Sequence, residues 1–253
     1  MNAGLEGWLG VFLVLASPFA GSFVSASARG WPDPGNLSMG RSRCDACGRA
    51  LRPSELVPLF SFLVQRGRCT ACGAPIARQH FVAELASMLI AIAAVLVFSG
   101  WMMLAGVLFG EMLLFVALVD SRTRLIPDGA VAALLASGLL LAFLRAGPGG
   151  LAGALAGALA GYGAFWLVAF LYRVLRKREG LGLGDAKLLA AGGAWCGLPA
   201  LPWIVLLAAS ASLVAAVLMH RRRLHGETAL AFGPALAAAI YGVWLWSGVY
   251  SYA

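Results

Sequence analysis

Charge is what this chain has least of. Only 12% of its 253 residues are Asp, Glu, Lys or Arg, about half the share in an ordinary soluble domain. That scarcity excludes a free-standing soluble globule, which has too little interior to hide so much apolar surface. It excludes intrinsic disorder as well, because disordered chains are polar and strongly charged. Cysteine is also sparse. Five residues, four of them in two close pairs, do not make a disulfide-rich secreted scaffold. There is no glycine-rich Rossmann fingerprint, so no nucleotide site can be read from the sequence. Acids number only 11, few enough to weigh those near a membrane one by one.

What fills the space is apolar. The AVILMFWYC set supplies 61% of the chain and glycine another 32 residues, with a mean hydropathy of +0.85. The expected fold class is an all-α polytopic membrane protein. Runs long enough to cross about 30 Å of hydrocarbon fall at about 5–24, 81–98, 101–119, 129–145, 150–172, 200–219 and 228–249. An eighth piece, 185–197, has only 13 residues and covers roughly 20 Å as a helix, a half-span or a tilted helix. Ser99-Gly100, Gly147-Pro148 and Gly197-Leu198-Pro199 read as tight turns. The domain organisation expected is a first transmembrane helix over 1–24, a polar insertion over 25–80 and a transmembrane core over 81–253.

A net charge of +8 invites a nucleic-acid partner, but placement argues otherwise. With eight crossings, the insertion and the segments 120–128, 173–187 and 220–227 share one face and hold 18 of the 19 Lys and Arg residues. Only Arg145 falls on the other side. The positive-inside rule then puts the insertion in the cytoplasm and both termini outside. No nucleic acid is needed to explain the basicity. Glu6 is the only charge before the first apolar run, whereas a signal peptide carries positive charge there. The first span is therefore expected to be retained. Gly149, Gly153, Gly157 and Gly161 recur at a spacing of four, which reads as a helix-packing face.

Inside the insertion, Cys44-Asp45-Ala46-Cys47-Gly48 and Cys69-Thr70-Ala71-Cys72-Gly73 are two copies of one pattern. Two such turns facing each other offer four thiolates in the tetrahedral array that Zn²⁺ prefers. Disulfides would need an oxidising compartment, and a redox-active pair would need only one motif. The expectation is a structural zinc site at Cys44, Cys47, Cys69 and Cys72, clamping a loop poor in large apolar side chains. Cys196 lies apart and reads as a small apolar packer.

Two acids sit in the wrong solvent. Asp120 ends the third span, and Asp185 opens the short sixth piece directly behind Gly182-Leu183-Gly184. They are 65 residues apart in sequence, yet the topology puts both near the cytoplasmic edge of the hydrocarbon. Ionisable groups there are costly and functional by default. Two carboxylates brought close share a proton, one activating water while the other donates to the carbonyl or leaving amine, the aspartic-protease arrangement. The plainer alternatives are an ion pair with Arg122 or Arg124 for Asp120, and an N-cap for Asp185. Asp128, after Ile126-Pro127, reads as a helix cap. Glu84 and Glu111 read as buried hydrogen-bonding partners without chemistry. Lys187 is expected to meet lipid phosphate or substrate.

Taken in order, these motifs resemble a known family. Gly21-Ser22-Phe23, the twin Cys-x-x-Cys-Gly knuckles, Arg66-Gly67-Arg68-Cys69 and Glu84 are followed by Asp120 with Ile126-Pro127-Asp128. Gly182-Leu183-Gly184-Asp185-Ala186-Lys187 and Phe232-Gly233-Pro234 complete the series. The chain resembles the type IV prepilin peptidases, bifunctional leader peptidase and N-methyltransferase enzymes of type IV pilus and type II secretion systems. It departs from their pattern at Val24-Ser25, at Arg29-Gly30-Trp31-Pro32 and at Ala231. The resemblance implies that Asp120 and Asp185 are the catalytic pair and that eight helices and a cytoplasmic zinc site lie in a bacterial inner membrane. It implies cleavage of a basic prepilin or pseudopilin leader after glycine, then methylation of the new amino terminus with S-adenosylmethionine. Lipid and the pilus or type II secretion machinery are the other expected partners. Two readings from other classes stand beside it: a proton-coupled transporter, which also places carboxylates at membrane depth, and a non-enzymatic assembly factor docking through its zinc module.

Overall fold

The computed structural model describes residues 3–32, 42–177, 182–219 and 231–252. Its helices are α1 (Ala3–Gly30), α2 (Phe60–Val64), α3 (Arg78–Val97), α4 (Trp101–Thr123), α5 (Asp128–Arg176), α6 (Leu183–Cys196), α7 (Leu201–Met219) and α8 (Gly233–Tyr252). Among the described residues, the only extended pairing is two isolated bridges, Arg43 with Ala50 and Arg68 with Pro75. The all-α expectation holds. The basic segment 220–227, together with Arg41 and Arg178, lies outside the described residues.

Among the described residues, five helices are long and apolar enough to cross a membrane: α1, α3, α4, α5 and the helix through α7. The 49-residue α5 is counted once there, but it would be roughly 74 Å long if continuous. It is not continuous. Ala146 and Gly147 leave helical geometry, Gly147 with φ 61° and ψ −148°, and a methyl on Gly150 would strike the Ala142 carbonyl eight residues earlier. Along an unbroken helix those positions lie about 12 Å apart, so the chain doubles back into two arms. Pro148 starts the second arm, where its missing N–H is not needed. All three turns expected from sequence carry a left-handed glycine, with Gly100 at φ 59°, Gly147 at 61° and Gly197 at 80°. α1 runs six residues beyond its expected end, because Ser25 and Ala28 are buried against the protein rather than released into a loop.

The chain divides into two compact units, Met1–Phe115 and Val116–Ala253. In the first, α1 packs on α3 through Gly21, whose added methyl would sit 2.6 Å from Ser87 Cβ and 2.7 Å from the Ala83 carbonyl. Pro18 lies inside α1 and cannot donate to the Val14 carbonyl, and the Ser17 hydroxyl donates to it instead at 2.9 Å. Buried Ser87 donates to the Ser17 carbonyl and bonds Glu111 from α4. Glu111 is thus a buried hydrogen-bonding partner between helices, as expected.

In the second unit α6 is the central element, with Ala186 and all residues from Leu188 to Ala194 buried. A helix apolar all round belongs in a core. It packs most extensively on α5 and also on α8. Trp195 Nε1 donates to the Leu134 carbonyl at 2.8 Å, its ring lying over Gly138. The Cys196 thiol meets only the Ile240 carbonyl, at 3.7 Å, consistent with a packing role. The glycine stripe divides. Gly157 faces the Gly193 carbonyl and Gly161 the Leu189 carbonyl, whereas Gly149 and Gly153 face open space. Half of the expected packing face is therefore used, because α6 is too short to reach the rest.

Gly157→Ala should force the second arm of α5 off α6 and cost about 1–3 kcal/mol. Gly153→Ala should be neutral or stabilise by about 0.5–1 kcal/mol through helix propensity. Thermal midpoints of the two variants in detergent check this, and equal midpoints would contradict the packing described.

Candidate functional site

Asp120 stands in the last turns of α4 and is 5% exposed. The Gly233 N–H, at the start of α8, donates to its Oδ2 at 3.0 Å. A methyl on Gly233 would lie 2.6 Å from that oxygen, so only glycine lets the backbone come this close. Sequence reasoning included Gly233 in a motif but gave it no role, since a hydrogen bond across 113 residues leaves no local pattern. The hydrogen-bond partner of Asp120 is this backbone amide, and Arg124, one of the expected charge partners, lies within electrostatic range of it.

Asp185 lies in the first turn of α6, half-buried. The N-cap of α6 is Gly182, with no side-chain capping bond, so Asp185 does not cap the helix. Its carboxylate lies close enough to Asp120 for the two charges to act on each other. Gly184 admits the Ile126 side chain, 3.1 Å from where its Cβ would be, and Gly182 flanks Asp185 Oδ2. The close neighbour expected at these glycines is thus a side chain of the α4–α5 connection.

One expectation nearby is corrected. Asp128 is not a cap: Pro127 holds that position, and Asp128 is the first helical residue of α5. Its Oδ1 instead accepts a hydrogen bond from Lys187 Nζ at 2.7 Å. Lys187 thus has a carboxylate partner within the chain. Both side chains are solvated, at 42% and 75% exposure, so the pair adds little stability and serves to tie the start of α6 to the start of α5.

In the first unit, the two cysteine turns are built alike. Gly48 N–H donates to the Cys44 carbonyl and Gly73 N–H to the Cys69 carbonyl, each at 2.9 Å. Gly48 and Gly73 adopt φ 71° and 70°, the left-handed conformation that wraps the backbone round a sulfur. All four Sγ atoms lie within 4.8 Å of one another, and Cys44 and Cys72 Sγ are 3.9 Å apart. Tetrahedral ligands at about 2.3 Å from an ion are roughly 3.8 Å apart, whereas a disulfide needs about 2.05 Å. The five cysteines are free thiols. The cluster can hold a metal ion, and the disulfide alternative fails on distance. Backbone N–H groups of Cys72 and Ala71 push the Cys69 thiol down to about 6 while the Cys72 thiol is held up at about 11, so Cys69 ionises before Cys72.

A second clamp joins the turns. Arg49, just after the first, bonds Glu55 at 2.7 Å and Thr70 of the second at 2.9 Å. The Arg49 side chain, the Arg52 N–H and the Thr70 hydroxyl hold the Glu55 carboxyl down at about 2. Glu84, from α3, accepts the Leu59 N–H at 2.7 Å, fixing a non-glycine residue at φ 60°. It is buried as expected, though its partner is the insertion backbone rather than another helix.

Residues 15–98 match the bacterial peptidase A24 N-terminal domain, and residues 107–219 match the type IV leader peptidase family. The chain belongs to the type IV leader peptidase family. Among its relatives, the prepilin leader peptidase/N-methyltransferase of Burkholderia pseudomallei (strain K96243) is 42% identical over 221 residues, covering 83% of this chain and 68% of that protein. The proteins of the same name from Aeromonas hydrophila and Klebsiella pneumoniae are 37% and 38% identical. They cover 84% and 80% of this chain and 74% and 92% of their own lengths. No solved structure matches. In this leader peptidase family member, the cysteine cluster falls in the N-terminal match and both aspartates in the second.

Elemental analysis of the purified chain should find a tightly held metal ion, lost in the double variant Cys44→Ser/Cys72→Ser and lost from the wild-type chain on acidification below the range in which the thiols ionise. A wild-type protein free of metal when prepared without chelator would refute the cluster as a metal site.

Proposed function

We propose that this chain is a membrane aspartyl endopeptidase that removes the basic leader of type IV prepilins or type II secretion pseudopilins. Its family and the names of its relatives support the activity. The carrying observation is that Asp120 and Asp185, from different helices, lie close enough for their charges to interact, with Asp120 oriented by a backbone amide.

Two carboxylates in mutual range hold one proton between them. The deprotonated member takes a proton from water as the water oxygen bonds to the scissile carbonyl carbon. The protonated member gives its proton to the carbonyl oxygen. Collapse of the tetrahedral carbon breaks the C–N bond; the leaving amine takes the proton the first carboxylate had received, and a hydroxyl of the forming acid returns its proton to the second, restoring the one-proton pair. Gly233 N–H keeps Asp120 Oδ2 fixed through this exchange, and the Lys187–Asp128 tie holds the turn that carries Asp185.

The same proposal includes eight crossings, a cytoplasmic cysteine insertion and both termini outside, supported by the one-sided distribution of Lys and Arg. It places the enzyme in the bacterial inner membrane. The metal is Zn²⁺, supported by four thiolate donors, and its role is structural, since all four positions are taken by protein. Segments 1–24, 25–80 and 81–253 act as anchor, zinc module and peptidase core. Acidic lipid and the pilus or type II secretion machinery are its partners. After cleavage the new amino terminus is methylated. S-adenosylmethionine, when bound, supplies the methyl group, and the relatives' names support this second step.

Asp120→Asn and Asp185→Asn should each lower the cleavage rate by at least about a hundredfold on a leader-bearing prepilin in proteoliposomes, read by intact mass. Gly233→Ala should lower it as well, while Gly153→Ala should not. Normal cleavage by either Asn variant would end the peptidase assignment. Cleavage lost only in Cys-to-Ser variants would favour an assembly role, and proton-coupled uptake lost in the Asn variants a transporter.

A further inference from the structure

A cavity of about 580 Å³ lies in the first unit, walled by the end of α1, the start of α3 and the cysteine insertion. Its size falls within the range of small-molecule sites. Three acids line it: Asp45, Glu55 and Glu84. Two are neutralised, Asp45 by Arg29 at 2.7 Å and Glu55 by Arg49 at 2.7 Å. Glu84 is not. It is 7% exposed, one oxygen accepts the Leu59 N–H, and among the described residues no Lys, Arg or His forms an ion pair with it. A buried carboxylate without a cation is costly unless a ligand brings one.

The other lining groups narrow the ligand. Phe62 and Phe81 stack with centroids 4.8 Å apart, a flat apolar wall suited to an aromatic base or a polarised methyl cation. Arg29 is held by Asp45 and by His80, whose Nε2 lies 2.8 Å from Arg29 Nη1. A guanidinium has five N–H donors, so Arg29 keeps others free for a carboxylate. A cation, a flat base and a carboxylate in one small molecule is the chemistry of S-adenosylmethionine.

We propose that this cavity is the methyl-donor site, with Glu84 facing the sulfonium, Phe62 and Phe81 the adenine, and Arg29 the carboxylate. The inference rests on the methyltransferase part of the proposed function. In the transfer, the lone pair of the neutral pilin amine forms the N–C bond while the C–S bond breaks, its electrons staying on sulfur. The product ammonium then releases a proton to water.

The test is equilibrium dialysis of labelled S-adenosylmethionine, and of the uncharged thioether S-adenosylhomocysteine, against the full chain in detergent. Glu84→Gln can still accept the Leu59 N–H. It should weaken the sulfonium ligand by about tenfold or more and shift the thioether by no more than about twofold. Ala26→Phe, an exposed α1 position that lines the cavity, should weaken both. Thermal midpoint and metal content report that each variant is folded. Wild-type affinity for S-adenosylmethionine in both variants would overturn the site while leaving methylation standing. A wild-type chain that neither binds the donor nor methylates cut pilin would sink the methyltransferase reading and the site with it. A raised KM for the leader in Glu84→Gln, with donor binding unchanged, would make the cavity a leader-binding site and overturn the inference too.

Discussion

A carboxylate surrounded by hydrocarbon or protein has no water to lean on, so each buried acid has to be met by a donor that the fold delivers. That constraint organises this chain. Asp120 is met by the Gly233 N–H from a helix more than a hundred residues away and Glu84 by the Leu59 N–H of the insertion, while Glu111 shares a hydrogen bond with the Ser87 hydroxyl. For Asp120 and for Ser87 beside Glu111 the approach depends on absent bulk. Gly233 touches Asp120, and Gly21 lets α1 approach Ser87 and Ala83. Bringing polar donors to buried acids and bringing helices together are the same packing problem, solved with glycine.

Asp185 differs in kind. It is only half-buried and sits where α6 begins, with glycine on either side of Leu183 and an exposed ion pair, Lys187 with Asp128, anchoring the turn. One acid of the pair is thus locked by a backbone donor, while the other is held through its helix and stays open toward the space beside it. In the proposed reaction this asymmetry would give one fixed point of reference and one face that substrate and water can reach.

Much of this is written locally in the sequence. Hydropathy marks the apolar segments because the bilayer imposes a length, and Ser99-Gly100, Gly147-Pro148 and Gly197-Leu198-Pro199 mark the turns because only glycine accepts their backbone angles. The cysteine knuckles are legible for the same reason: four thiols at fixed spacing and a left-handed glycine after each pair are properties of a few residues in a row. What was not legible depends on distant partners. Nothing near Gly233 announces that its N–H serves Asp120, and nothing near Lys187 announces Asp128. The cap expected at Asp128 failed because two local roles, capping and first-turn acid, look alike in sequence, and a cation on α6 decided between them. The glycine stripe was half right because the length of the helix it packs on is set elsewhere in the chain.

The insertion illustrates how a polar segment can be ordered without a hydrophobic core of its own. Two copies of one turn face each other at the sulfurs and are joined through Arg49, Glu55 and Thr70, a clamp that keeps the turns in register by charge-assisted bonds that need no metal. Asp45 and Glu55 spend their charges inside this framework. Glu84 reaches into the same region from α3 and spends none, holding only a backbone amide. Of the three acids that line the cavity, Glu84 is the one that meets no side-chain cation among the described residues, and the proposed methyl-donor site turns on that difference.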